Sequence, residues 1–148
     1  MRWSELDMDK ALWTIPSDNT KSDRGDHVVP LNRLAVEIIN EMHHIDGSDL
    51  LFPTSSNPNR AVSGFSKAKA RCDEMVGLKD WRLHDLRRTC ATGMQDIGVP
   101  PHIIGAVLNH SPQSIMGVTA VYATGNMVEE RREALDKWSG TLQSITVP

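Results

Sequence analysis

The stretch Gly98-Val99-Pro100-Pro101 constrains the fold of this chain more than any other. Proline cannot continue a helix, and glycine ends one at no steric cost in the left-handed conformation. Upstream of this break, Leu86, Cys90 and Met94 recur every fourth residue. That spacing predicts the buried stripe of a helix running from about Leu83 to Ile97. Downstream, proline in the first turn of a helix is well tolerated, so Pro101 opens a second helix, His102 to about Asn109. Its Ile103, Ile104, Val107 and Leu108 pack inward.

The same two helices carry the residues with chemical potential. His84 and Arg87 are three apart and so share one helix face. A guanidinium beside an imidazole can grip a phosphate and move a proton near it. His110 follows Leu108-Asn109, and Tyr122, the only tyrosine in the chain, follows Thr119-Ala120-Val121. A cationic grip, a second histidine and a tyrosine, in that order, suggest phosphoryl transfer through a tyrosine nucleophile. Each residue taken singly also has a structural reading: a helix-start histidine, a salt-bridge arginine, a helix-end histidine, a core or surface phenol.

The N-terminal part is mixed. Arg2 to Asp7 reads as the exit of an earlier element. Ala11–Pro16 and His27–Leu31 are rich in β-branched residues and read as strands, so residues 11–31 form a β-hairpin with Pro30 at an edge or strand end. Lys21 lies in its loop, where a lysine is ordinarily solvated. Asn32 caps a helix of about twelve residues whose stripe is Leu34, Ala35, Ile38, Ile39 and Met42. His43 and His44 end that helix and read as structural. Asp46 to Arg60 reads as a loop, with Leu50-Leu51-Phe52 docked on the core.

Val62 to Val76 reads as a helix with Phe65, Ala68, Cys72 and Met75/Val76 on its apolar side and Lys67, Lys69 and Arg71 on its basic side. That basic side is either a solvated face or a contact with a phosphate backbone, which is electrostatic and sequence-blind. Ser111 to Met116 reads as a loop. A last helix runs from about Met127 to Trp138, with Val128, Arg131, Leu135 and Trp138 facing the domain and Glu129, Glu130 and Arg132 outward. Gly140 ends it, leaving residues 141–148 as a tail.

Composition narrows the class. A chain of 148 residues, 24% charged and 39% hydrophobic, reads as one soluble globular domain. It has no run of eighteen apolar residues and no signal-like N-terminus, so a cytoplasmic location is expected. Cys72 and Cys90 have no metal-type spacing, and no metal or cofactor is expected. The net charge of −3 counts against a nucleic-acid partner, although a basic face can coexist with an acidic one.

The ordered set His84-x-x-Arg87, Leu108-Asn109-His110 and Tyr122 resembles the catalytic domain of tyrosine recombinases, the phage-integrase family. The resemblance runs from about Arg2 to Trp138 and includes Thr14-Ile15-Pro16, Thr20-Lys21 and Val29-Pro30-Leu31 around the hairpin. It implies a fold that is mainly α with a small N-terminal β-hairpin (α+β), and double-stranded DNA as partner. By that resemblance Tyr122 is the nucleophile, His84 the general base, Lys21 the general acid, and Arg87 and His110 the phosphate ligands. Asn109 stands where the family usually has glycine. The family's first catalytic arginine, in an Arg-x-x-Glu motif before a Leu-x-Trp, has no counterpart here, since Arg2-Trp3 matches only the end of that motif. Residues 1–148 are therefore expected to be a partial catalytic domain lacking that helix and the core-binding domain. Site-specific recombination, impaired in this stretch alone, is the expected activity, and a tetramer on DNA the expected full-length assembly. A non-catalytic DNA-binding remnant, a type IB topoisomerase-like activity and an unrelated helical interaction protein are the alternatives.

Overall fold

The computed structural model describes residues 1–19, 25–110 and 127–146. In chain order, its strands are β1 (Leu6–Asp7), β2 (Leu12–Ile15), β3 (His27–Pro30), β4 (Pro53–Thr54) and β5 (Asn57–Ala61). The helices are α1 (Arg33–Asn40), α2 (Phe65–Val76), α3 (Leu83–Asp96), α4 (Pro101–Val107) and α5 (Val128–Thr146). The arrangement is mixed α and β, as the sequence implies. No helix among the described residues is long and apolar enough to cross a membrane.

The expected hairpin is β2 paired antiparallel with β3, with Trp13 opposite Val29 and Ile15 opposite His27. β1 adds a third strand, with Leu6 opposite Trp13. Pro30 ends β3, as its missing N–H requires. Against this sheet packs α1, capped as expected: the Asn32 side chain accepts the Ala35 N–H at 2.9 Å. Leu31, Ile39 and Leu51 are buried here, with Trp3 and Trp13 packed on them. His44 stacks on Trp3 at 5.1 Å, so it is structural.

Three helices make the second core. Met94 of α3 is fully buried among Val99, Ile103, Ile104, Leu108 and Ala134. Complete burial of such a side chain contributes about 1.5–3 kcal/mol. The Gly98–Pro101 break turns the chain so that α3, α4 and α5 share these contacts. Gly93 lets α5 approach closely, since a Cβ there would lie 2.2 Å from Cζ3 of Trp138.

Several elements differ from the sequence reading. α1 is eight residues long where about twelve were expected, so Met42 lies beyond its end, and Ile38 of its expected stripe is 53% exposed. Leu86 is 60% exposed, because only the C-terminal half of α3, from Cys90 onward, reaches the core. The 46–60 region holds the short β4–β5 ladder as well as a loop. α2 starts at Phe65 and buries none of its residues; Phe65 and Met75 are 57% and 83% exposed. Last, α5 runs through Gly140 to Thr146. A helical glycine costs only about 0.5–1 kcal/mol against alanine, and burial of Ser139 beside it keeps the turn in place.

Candidate active site

The first turn of α3 is set by a reciprocal cap. The Asp85 carboxylate accepts the Arg82 N–H at 2.8 Å, and the Asp85 N–H bonds the Arg82 carbonyl at 2.8 Å. Asp85 also takes Arg88 at 3.2 Å, so Arg88 is an outward surface pair. This leaves His84 exposed and Arg87 half-buried on the same helix.

Arg87 reaches across to α4. Its Nη2 donates to the carbonyl of Leu108, one of the carbonyls a helix C-terminus leaves without a partner. Immediately beyond, Asn109 adopts a left-handed backbone (φ +51°). The Asn109 N–H bonds the Ala106 carbonyl at 3.3 Å, and the His110 N–H bonds Gly105 at 2.9 Å. This is the Schellman termination with asparagine in the glycine position. A tight, doubly bonded turn therefore delivers His110 two residues after the carbonyl that Arg87 holds. A guanidinium has five N–H donors, so the bond to Leu108 leaves donors for an anion.

Arg87 and the turn carrying His110 are thus brought together, with His84 one helical turn away from Arg87. Lys21 and Tyr122 lie outside the described residues. Burial pushes the Cys90 thiol above its usual range while the neighbouring Arg87 charge acts the other way. A half-buried, protonated thiol is a packing residue. Among the described residues, no three His, Cys, Asp or Glu side chains gather as a metal site needs.

The expected DNA contacts divide. Lys67 and Arg71 are exposed one turn apart on α2. Lys69 is turned instead to Asp73 (2.6 Å) and sits 4.7 Å over the Trp81 ring, while Trp81 Nε1 donates to Asp73 at 2.6 Å. The Lys69 hydrogen bond, seconded by Trp81, holds the Asp73 carboxyl below the usual carboxylate range. Lys69 therefore anchors the connector after α2. Residues 60–88 hold eight of the chain's sixteen Lys and Arg against four acidic residues. The segment around Arg87 is basic on a net acidic chain.

The family model described as phage integrase family matches residues 1–127. The chain belongs to the phage integrase family. It is 29% identical over 145 residues to the prophage integrase IntA of Escherichia coli K12, covering 97% of this chain and 34% of that protein. It is 36% identical over 156 residues to the integrase of Enterobacteria phage P4, covering 95% and 35%. The E. coli prophage integrase IntZ is 30% identical over 147 residues, covering 97% and 35%. The chain spans about a third of the length of these relatives. No solved structure matches it.

Two arginines of α5 have roles the sequence reading did not give them. Arg131 does face the domain, as expected, but as a buried donor to strand and helix carbonyls. Arg132, expected outward, bonds the carbonyls of Lys10 and Ala11. An arginine within the stripe Val128-Arg131-Leu135-Trp138 was the available signal, because a buried guanidinium must find acceptors.

Proposed function

We propose that this chain is part of a tyrosine-type enzyme that breaks and rejoins DNA at specific sites. The observation that carries the reading is the bond from Arg87 to the Leu108 carbonyl, which joins the His-x-x-Arg helix to the His110 turn. Membership of the phage integrase family, whose E. coli and phage P4 members are named integrases, supports it. The basic stretch 60–88 supports double-stranded DNA as the partner, with Lys67 and Arg71 available for its phosphates.

The chemistry runs as follows. The Tyr122 oxygen attacks the scissile phosphorus. A free phenol has a pKa of about 10, so its proton goes to His84 as the bond forms. Arg87 and His110 hold the non-bridging oxygens and stabilise the charge of the pentavalent transition state. The bond from phosphorus to the 5′ oxygen breaks, and Lys21 supplies the proton that oxygen needs. The product is a 3′-phosphotyrosyl link and a free 5′ hydroxyl. Reversal on a new 5′ hydroxyl rejoins the strand with no outside energy, because the phosphodiester was exchanged for another ester.

One phosphate-gripping arginine of the family has no counterpart in residues 1–148. Removing one such donor costs on the order of 10²–10³ in rate. Slow cleavage and no efficient recombination are therefore expected of this stretch by itself. The test is an SDS-resistant adduct on a nicked duplex of a phage attachment site, where the cut fragment diffuses away and traps the link. A slow adduct with the wild-type chain, lost in Tyr122→Phe and reduced at least about tenfold in Arg87→Gln, is expected. An equal adduct in Tyr122→Phe overturns the mechanism. Salt-dependent DNA binding with no adduct at all favours a non-catalytic DNA-binding remnant.

A further inference from the structure

The two sides of α2 have different surroundings. Lys67 and Arg71 lie one turn apart and are exposed. At 100° per residue, Lys69 and Asp73 lie about 160° round the helix from them. Of the twelve residues of α2, Lys69 and Asp73 are the ones partly covered, and all the others are exposed. Trp81, eight residues beyond Asp73 in the connector to α3, reaches back to both.

These three side chains close a ring of contacts. Oδ2 of Asp73 accepts the Lys69 ammonium at 2.6 Å, Oδ1 accepts the Trp81 Nε1–H at 2.6 Å, and the ammonium sits 4.7 Å over the Trp81 ring. The Lys69 side chain is 22% exposed, whereas Lys10, Arg33 and Arg88, in their pairs with Asp7, Glu37 and Asp85, are 73%, 82% and 74% exposed. Lys69 is therefore fixed in place and not a solvated surface charge. Left-handed backbones at Gly77 (φ +69°) and Asp80 (φ +64°) turn the connector back onto α2.

Trp81 also stands just before Arg82, the N-cap of α3. A side chain at that place fixes the angle at which the chain enters the helix. His84 follows three residues later, and Arg87 one turn beyond it. This end of α3 lies away from the core: Leu83 and Leu86 are exposed, and packing begins at Cys90. The Arg87 bond to the Leu108 carbonyl ties it to α4, and Trp81 ties it to α2.

We propose that Lys69, Asp73 and Trp81 are positioning residues that latch α2 to the start of α3, so that a phosphate backbone docked on Lys67 and Arg71 is held in fixed register with His84 and Arg87. The register rests on the DNA reading above; the latch itself does not. Lys69 acts on the duplex through Trp81 and touches no phosphate.

The first test is the salt dependence of binding to a duplex carrying a phage attachment site. Lys67→Gln and Arg71→Gln are each expected to lower the slope of log K against log salt by about one. Lys69→Gln removes the same charge and is expected to leave the slope unchanged. A slope lowered by about one in Lys69→Gln makes that residue a phosphate contact and overturns the latch.

The second test follows the His84 ring by nuclear magnetic resonance as the same duplex is added to saturation. The shift at saturation averages over the arrangements present. It is expected to shrink at least about twofold in Trp81→Phe, which lacks the N–H, and in Lys69→Gln, and to return in Lys69→Arg, which keeps the charge. An undiminished shift in both overturns the register. Amide exchange of Arg82 and Asp85, both bonded in the cap, is expected to rise on the order of tenfold in Trp81→Phe, with Met94 unchanged. Unchanged exchange there overturns the latch. If Trp81→Phe does not fold, Lys69→Gln carries the same readouts. A wild-type His84 ring that does not respond to bound duplex overturns the DNA-site reading and the register with it, and exchange then decides the latch alone.

Discussion

Gly93→Ala tests the packing that holds α3 to α5. The added methyl would sit 2.2 and 2.5 Å from Cζ3 and Cη2 of Trp138 and 3.1 Å from Cε3. Carbon atoms pack at about 3.5–4.0 Å, so the ring must retreat by more than about 1 Å. The ring also lines an open groove with Thr89, Thr92 and Ile145, so it can swing outward at the cost of its packing on the α3–α4 core. Two effects of opposite sign compete. Alanine is favoured over glycine in a helix by about 0.5–1 kcal/mol. Overpacking costs about 1–3 kcal/mol. The clash wins, with a net loss of about 1–2 kcal/mol and, for a domain of this size, a fall in Tm of about 2–8 °C. Gly140→Ala supplies the control, because a Cβ there meets nothing within 4 Å and only the propensity gain applies. Thermal unfolding followed by far-UV circular dichroism reads both. A Gly93→Ala protein as stable as wild type, or gaining stability alongside Gly140→Ala, refutes the close approach of Trp138.

Asn109→Gly is expected to stabilise the chain by up to about 1 kcal/mol, because glycine adopts the left-handed backbone freely, and Asn109→Val to destabilise it by about 1–2 kcal/mol. Chemical denaturation reads both, and equal stabilities contradict the Schellman turn. His27 gives a pH signature. Burial first, and then the Arg131 charge, holds its imidazole below the ordinary histidine range. The folded state thus favours the neutral ring, so this contribution is complete above about pH 6.5 and is lost as pH falls below it toward the folded value. His27→Gln should flatten the fall in urea-unfolding stability between pH 7.5 and 5.5, and an unchanged slope contradicts the burial.

Much of the fold was legible because local signals agreed. The Gly98–Pro101 break, the Asn32 cap and the β-branched runs within Ala11–Pro16 and His27–Leu31 each have one cheap solution. The Leu108-Asn109-His110 turn could also be read, since asparagine tolerates the left-handed backbone. Leu86 and the apolar side of α2 misled, because periodicity reports amphipathic character and not whether a partner covers the face. Gly140 misled because one glycine only weakens a helix that tertiary packing already holds. Tertiary hydrogen bonds were the least legible part. Nothing near Lys69 announces that Asp73 and Trp81 will claim its charge, and nothing near Arg132 announces carbonyls 120 residues away. The proposed set His84, Arg87 and His110 came from residue order together with the family resemblance; the helix positions behind it were legible, since two members lie on one helix three residues apart and the third ends the next helix.

The measurement that bears most directly on that set is a titration of the chain with orthovanadate, a pentavalent mimic of the phosphate in flight. It is followed by nuclear magnetic resonance of the histidine rings and the arginine Nε–H groups. If His84, Arg87 and His110 surround one phosphate, their three signals shift together with a single saturation curve, and Arg87→Gln weakens all three. If His84 and His110 respond independently, or neither responds while Arg87 does, the three residues do not share a phosphate and the proposed cleavage site does not exist in this fold.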